Sequence, residues 1–274
     1  ANCDDGGNGC CPEGTFVATA AECGAGDGTE NAYHLGLVAG REASALGCNW
    51  MFNPVADIYK NWRNTIVNTR SFGDNTDVVL ANVRAYIRGV KDANPNMACT
   101  AKHFPGDGVE ELDQHLAMGI NDLSEEDWEA SYGKIYRALI DDGLETVMVG
   151  HIALPEMSRK HCPGIKDSEI RPATLSPELL TGLLREEMGF NGVIITDASH
   201  MVGMTAMSKR SEAVPGAIIA GCDMFLFAND IEEDIGFMKA AYDKGLLTEE
   251  RLSDALHRIL GLKAHLKLYD EAVC

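Results

Sequence analysis

Short apolar runs alternate with longer amphipathic stretches along this chain. Residues 48–54, "CNWMFNP", read as a strand closed by Pro54. "NMACTA" (96–101), "TVMVGH" (146–151), "GVIITDA" (192–198) and "CDMFLFA" (222–228) are further apolar runs of strand length. Between them the period changes to that of a helix. Residues 30–47, 75–94, 124–143, 176–189, 211–221, 231–244 and 248–266 carry helical spacing, with Pro215 inside the fifth. Ser124 followed by Asp127 gives a cap at one helix start, and Gly143 gives its stop. Ser176 and Pro177 mark another start.

Strands that are apolar throughout, each followed by a helix, predict a parallel sheet covered by helices. No linker or low-complexity segment interrupts the pattern, so residues 1–274 read as one domain. No G-x-G-x-x-G opens a helix after a strand, which removes the main signature of a dinucleotide-binding sheet and of a nucleotide cofactor. The polar residues that follow the strands point to a (β/α)₈ barrel, whose active site lies at the C-terminal strand ends. They are Asp57, Lys102 with His103, His151, Asp197 and Asn229. Five strands are clear and another is possible near residues 1–7, short of the number a barrel needs.

The formal net charge of −19 disfavours contact with phosphate backbones, so no nucleic-acid partner is expected. No apolar window approaches membrane-spanning length, and "ANCDDGGNGCC" does not read as a signal peptide. Of nine cysteines, Cys48, Cys99 and Cys222 sit in strand-like runs as small hydrophobes, which favours a reducing, cytoplasmic setting. Cys3, Cys10, Cys11 and Cys23 lack paired C-x-x-C spacing, so no metal is expected.

The chemistry concentrates after the second run. Residues 102–115 read "KHFPGDGVEELDQH". The link they begin, 103–123, is about twenty residues long, and links of that length are usually functional or disordered. Asp113 and His115 stand two apart. A carboxylate bonded to an imidazole fixes its tautomer and raises its basicity, as a proton donor to a leaving group requires. The same spacing also arises by chance in surface loops. Asp197 ends the run "GVIIT" and should face a polar cleft. It reads as a nucleophile, a base, a metal ligand or a helix cap. His151 and His200 read as a satisfied strand-end residue and a pocket wall. Of Trp50, Trp62 and Trp128, Trp62 is the best placed to stack on a ring and Trp128 reads as packing.

These residues carry a resemblance. "KHFPGDGVEELDQH" resembles the K-H-F-P-G-x-G…D-x-H signature of glycoside hydrolase family 3, in its β-N-acetylglucosaminidase branch. "GVIITDASHM" is similar to that family's nucleophile strand, and "NPVADI", "RSFG" and "AGCDMFLF" resemble further stretches in the same order. The resemblance implies a barrel enzyme acting by a retaining mechanism. Asp197 would be the nucleophile and His115, paired with Asp113, the acid/base. Arg70, Lys102 and His103 would bind sugar hydroxyls. The implied activity is an exo-β-N-acetylhexosaminidase releasing terminal N-acetylglucosamine from peptidoglycan or chitin fragments. A β-glucosidase-like relative and a non-catalytic sugar-binding or assembly subunit are the alternatives. Two departures stand out. Asp107 occupies a position where the family usually has His. Asp4 stands where a sugar-binding Asp is expected, with no Arg after it. The first strand-helix units of the family barrel also have no counterpart, so a homo-oligomer completing the short barrel is expected.

Overall fold

Every residue of "ACTAKHF" and of "TVMV" is buried, which is what a strand covered on both faces requires. The computed structural model describes residues 1–269. Its strands are β1 (Trp50–Met51), β2 (Ala98–Phe104), β3 (Gly119–Ile120), β4 (Thr146–Val149), β5 (Ile152–Ala153), β6 (Val193–Ala198) and β7 (Met224–Leu226). One sheet runs β1-β2-β4-β6-β7 with every pair parallel. β3 and β5 form a separate parallel pair.

The order of the large sheet is its informative feature. Each strand is added to the same side as the one before, so the sheet winds in a single sense. A doubly wound sheet would reverse its order at a switch point. The result is an α/β fold with a curled parallel sheet, a half-barrel. Trp50 on β1 donates from Nε1 to Thr100 Oγ1 (2.8 Å) and Thr146 Oγ1 (3.0 Å), which ties three strands together.

The strand anticipated near residues 1–7 does not form. Gly7–Gly9 make a 3₁₀ turn instead. The segment nevertheless lies along the outer edge of β1. Phe52 N–H donates to Ala1 O (2.7 Å) and Cys3 N–H to Asn53 Oδ1 (2.6 Å). Cys3 and Cys10 are disulfide-bonded, which closes this segment on itself. Cys48, Cys99 and Cys222, on which the expectation of a reducing compartment rested, are free thiols, whereas the Cys3–Cys10 bond is of a kind that persists in oxidising settings. Six cysteines are free among the described residues.

The helices follow the periodic stretches closely. Glu30–Ala45 packs on Thr76–Ala93, which Asn75 caps by accepting from Asp77 N (2.9 Å) and Val78 N (3.2 Å). Gly36 and Gly89 lie at their crossing, where a Cβ on either would collide with the backbone of the other helix. Ser124 accepts from Asp127 N (3.1 Å) as its spacing predicts. Gly143 stops that helical stretch with φ 87°, a value that glycine adopts without penalty. Glu178–Glu187 winds in wide π-type turns. Arg210–Ala220 continues through Pro215, and Ile231–Asp243 and Glu249–His265 close the described chain. No helix among the described residues is long and apolar enough to cross a membrane.

Candidate active site

Three strand ends converge on one carboxylate. Asp57 follows β1 and is fully buried. Its Oδ2 lies 2.7 Å from His103 Nδ1, and its Oδ1 accepts from the backbone N–H groups of His103 (3.1 Å) and Asp107 (2.8 Å). With Nδ1–H donated to Asp57, the other ring nitrogen of His103 is directed toward β6. There it stands 3.7 Å from Asp197 Oδ2. Asp197 Oδ1 accepts from Ala198 N–H (2.7 Å). Burial opposes ionisation of Asp197, but His103, the Ala198 N–H and Lys102 outweigh it and hold the carboxyl below its ordinary range. It is therefore an anion at neutral pH, largely shielded but reachable from one side.

A second group lies beside it. Asp4 Oδ2 accepts from Arg70 Nε (3.0 Å) and Oδ1 stands 3.5 Å from Lys102 Nζ, while Asn53 Nδ2 also donates to Asp4. Burial alone would raise the Asp4 pKa, but Lys102, Arg70 and Asn53 bring it down to about 2. Lys102 is buried and its pKa is lowered by desolvation, against the pull of Asp4. Lys102 Nζ also donates to Asn2 Oδ1 (2.6 Å). The departure at the N-terminal motif thus has a structural answer: Asp4 holds the two cations without the extra Arg.

The link after β2 supplies the third element. His115 Nδ1 lies 2.7 Å from Asp113 Oδ1, and the same oxygen accepts from His115 N–H (2.8 Å). The imidazole is half exposed, 55 % on its side chain, so Nε2 is free to exchange a proton with a ligand. The link is anchored near its middle. Val202 N–H donates to His115 O (3.3 Å) and Gly203 N–H to Gln114 O (2.9 Å). These contacts join it to the turn that follows Asp197.

A cavity of about 310 Å³ has Arg70, Lys102, His103, His115 and Asp197 in its wall. Sequence reasoning thus placed these five around one space, with Asp113 and Asp4 behind them as partners. It missed Asn2, Gln114 and Phe227, which share the wall. Phe227 is an exposed aromatic with φ 59° and stacks on His200 at 5.9 Å between centroids. The pocket-wall reading of His200 is met. His151 is buried with both nitrogens satisfied: Nε2–H donates to Ala198 O (3.0 Å) and Nδ1 accepts from Thr174 (3.0 Å). Burial holds its pKa below the ordinary value, so it is neutral and structural. Trp128 is core, donating to Pro105 O (2.8 Å). Trp62 is exposed under Arg63 and lies outside the cavity wall. A larger, mostly apolar groove of about 440 Å³ between β7 and the last two helices contains none of the candidate residues. Among the described residues no group of three or more His, Cys, Asp or Glu is placed to hold a metal.

A largely buried carboxylate at a strand end, the cations Lys102 and Arg70 and a His–Asp pair on a loop thus surround one cavity. The chain belongs to glycosyl hydrolase family 3: that family's N-terminal domain matches residues 1–262. It is 46 % identical over 269 residues to a β-N-acetylglucosaminidase/β-glucosidase of Cellulomonas fimi, covering 98 % of this chain and 47 % of that one. It is 30 % identical to a β-hexosaminidase of Hydrogenovibrio crunogenus, covering 88 % of this chain and 63 % of the relative. Among solved structures, a β-glucoside phosphorylase aligns with TM-score 0.94 and 43 % identity, over 100 % of this chain and 50 % of that one. A family 3 β-N-acetylglucosaminidase from Paenibacillus aligns with TM-score 0.83 and 31 % identity, over 93 % and 47 %. The chain spans about half the length of these relatives, apart from the somewhat shorter Hydrogenovibrio enzyme.

Proposed function

We propose that this chain carries the catalytic centre of a retaining exo-β-N-acetylhexosaminidase acting on terminal N-acetylglucosamine of peptidoglycan or chitin fragments. One observation carries the reading: Asp197 and the Asp113-bound His115 face the same cavity, beside Arg70 and Lys102. An Asp197 oxygen attacks the anomeric carbon. The bond from that carbon to the leaving oxygen breaks as His115 Nε2–H gives up its proton to it. His115, now neutral, takes a proton from the incoming water, whose oxygen displaces Asp197 and restores the carboxylate. Asp113 accepts the Nδ1–H throughout, which fixes Nε2 as the exchanging atom. Arg70, Lys102 and His103 present donors to sugar hydroxyls.

A slow fluorinated N-acetylglucosaminide should leave a covalent sugar on the peptide that contains Asp197, and mass mapping locates it. An adduct on another residue of an active protein refutes the assignment. Asp197→Asn should lower turnover by about 1,000-fold or more.

Phosphate as acceptor and glucose as donor form a second reading, favoured by the likeness to a β-glucoside phosphorylase and by the bifunctional name of the Cellulomonas relative. An imidazole at the acid/base position spares an incoming phosphate the repulsion of a carboxylate. Sugar 1-phosphate formed in phosphate buffer, followed by phosphorus NMR, separates the two.

The architectural reading is a (β/α)₈ barrel. The sequential strand order supports it, and β7 has a paired neighbour on one side only among the described residues. A further strand or a second copy of the chain would pair there, and sedimentation analysis distinguishes a monomer from such an oligomer.

A further inference from the structure

We infer that Gln114, the residue between Asp113 and His115, is a positioning residue that latches the acid/base loop shut, with Asp107 as its anchor. The inference rests on the roles proposed above for His115 and Asp197.

Gln114 is 1 % exposed although it lies in a link whose Leu112 and Leu116 are both exposed. Both ends of its side chain are bonded. Nε2 donates to Asp107 Oδ2 (2.6 Å), and Oε1 accepts from His151 N–H (2.6 Å). Its backbone O accepts from Gly203 N–H (2.9 Å). One residue therefore ties the loop to the turn after β2, to His151 just beyond β4 and to the turn that follows Asp197.

The anchor is built for this. Asp107 is 1 % exposed, and its Oδ1 accepts from Asn64 Nδ2 (2.8 Å) and Gly108 N–H (2.6 Å). Every partner of the carboxylate is an N–H donor, so a carboxylate fits this position and a His would set its own N–H groups against them. This accounts for the departure from the family at position 107. Gly203 completes the latch. A Cβ there would stand 2.8 Å from His151 Cβ and 2.9 Å from Gln114 O, so the turn reaches the loop only with glycine. An imidazole held in this way needs no loop closure before it transfers a proton.

Gln114→Met keeps the side-chain volume and removes both side-chain hydrogen bonds. Acid catalysis matters when the leaving group is basic and hardly at all for a dinitrophenolate. For an alkyl N-acetylglucosaminide, kcat/KM should fall about 100-fold, within the usual range for a misplaced proton donor. For the dinitrophenyl glycoside, kcat/KM should fall less than about 3-fold on the same grounds. The His115→Ala single variant and the double variant with Gln114→Met should be indistinguishable, because the glutamine acts through the imidazole. Equal losses on both glycosides, or a further loss in the double variant, overturn the inference. Hydrogen exchange of the wild-type protein gives a test independent of folding of the variants. The Leu116 and Ala117 amides, which donate to Asp113 O at 2.8 and 2.9 Å, should be protected for minutes or longer. Exchange within seconds overturns the latch. A wild type that cleaves neither glycoside refutes the functional reading instead, while the exchange data still decide whether the loop is latched.

Discussion

At the scale of single residues, charge is placed where its neighbours can hold it. Asp4 has a pKa of about 2 because Lys102 and Arg70 face it. A carboxyl depressed in the folded state contributes stability above its unfolded pKa and loses it as pH falls through the folded one. Asp4 therefore supports the fold at neutral pH and withdraws that support between about pH 4 and 2. The partner effect is the sharper test. Burial already lowers the Lys102 pKa, and Asp4 is the main charge opposing it. In Asp4→Asn the Lys102 proton should be lost at lower pH, so the alkaline limb of the kcat/KM profile moves toward neutrality. KM should rise about 10-fold at pH 7, the equivalent of about 1.4 kcal/mol of sugar binding. An unmoved alkaline limb would separate Asp4 from Lys102. Much of this site could be read in advance, because Lys102, His103 and Asp197 are polar residues that end apolar runs. The Asp57–His103 pair could not, since its members lie 46 residues apart and no local pattern relates them. Gln114 gave no signal either, because a buried amide looks like any loop residue until its partners are in view.

At the scale of elements, the link from β2 to the next helix is held by the bonds of Gln114 and Asp113 and strained by one uneasy carboxyl. Glu110 is half-buried with Oε1 unpartnered, and burial, with help from Asp107, Glu111 and Asp113, raises its pKa to about 7. A raised carboxyl pKa makes the folded state most favourable when the group is protonated. That benefit is full below the unfolded pKa of about 4.5 and is lost as pH rises through 7. Glu110→Gln should therefore raise Tm at pH 8 by about 2–4 °C, roughly 1 kcal/mol after allowance for its exposed half. At pH 4 the two proteins should melt together, and calorimetry at both pH values checks this. Gly203→Ala should cost about 2–3 kcal/mol in urea denaturation, because the backbone must shift to admit a methyl group. The long helices were legible because each repeats its period over several turns, and Thr76–Ala93, Ile231–Asp243 and Glu249–His265 also carry a side-chain cap. β3 and β5 were not, since strands of two residues contain no alternation to detect.

At the scale of the whole molecule, one buried carboxylate knits the end of the chain to the sheet. Asp223 is fully shielded and accepts from Arg185 (2.6 Å), Arg251 (2.5 Å) and Ile194 N–H (2.9 Å). The two arginines belong to Glu178–Glu187 and Glu249–His265. Asp223→Ala leaves Arg185 without a counter-charge and Arg251 with only the exposed Asp254, and should lower unfolding free energy by about 3–5 kcal/mol, measurable by urea denaturation. Alternation of strand and helix was enough to predict a parallel sheet with its chemistry at one rim. The strand count of the sheet was not, because closure depends on which edges meet and no segment records that locally. The N-terminal segment adds a practical constraint. Asn2 and Asp4 form part of the cluster around Lys102 and Arg70, and Ala1 hydrogen-bonds to β1. A substitution at Asn2 or Asp4 would therefore be felt at the pocket, and measured affinities describe the unaltered site only while both are in place.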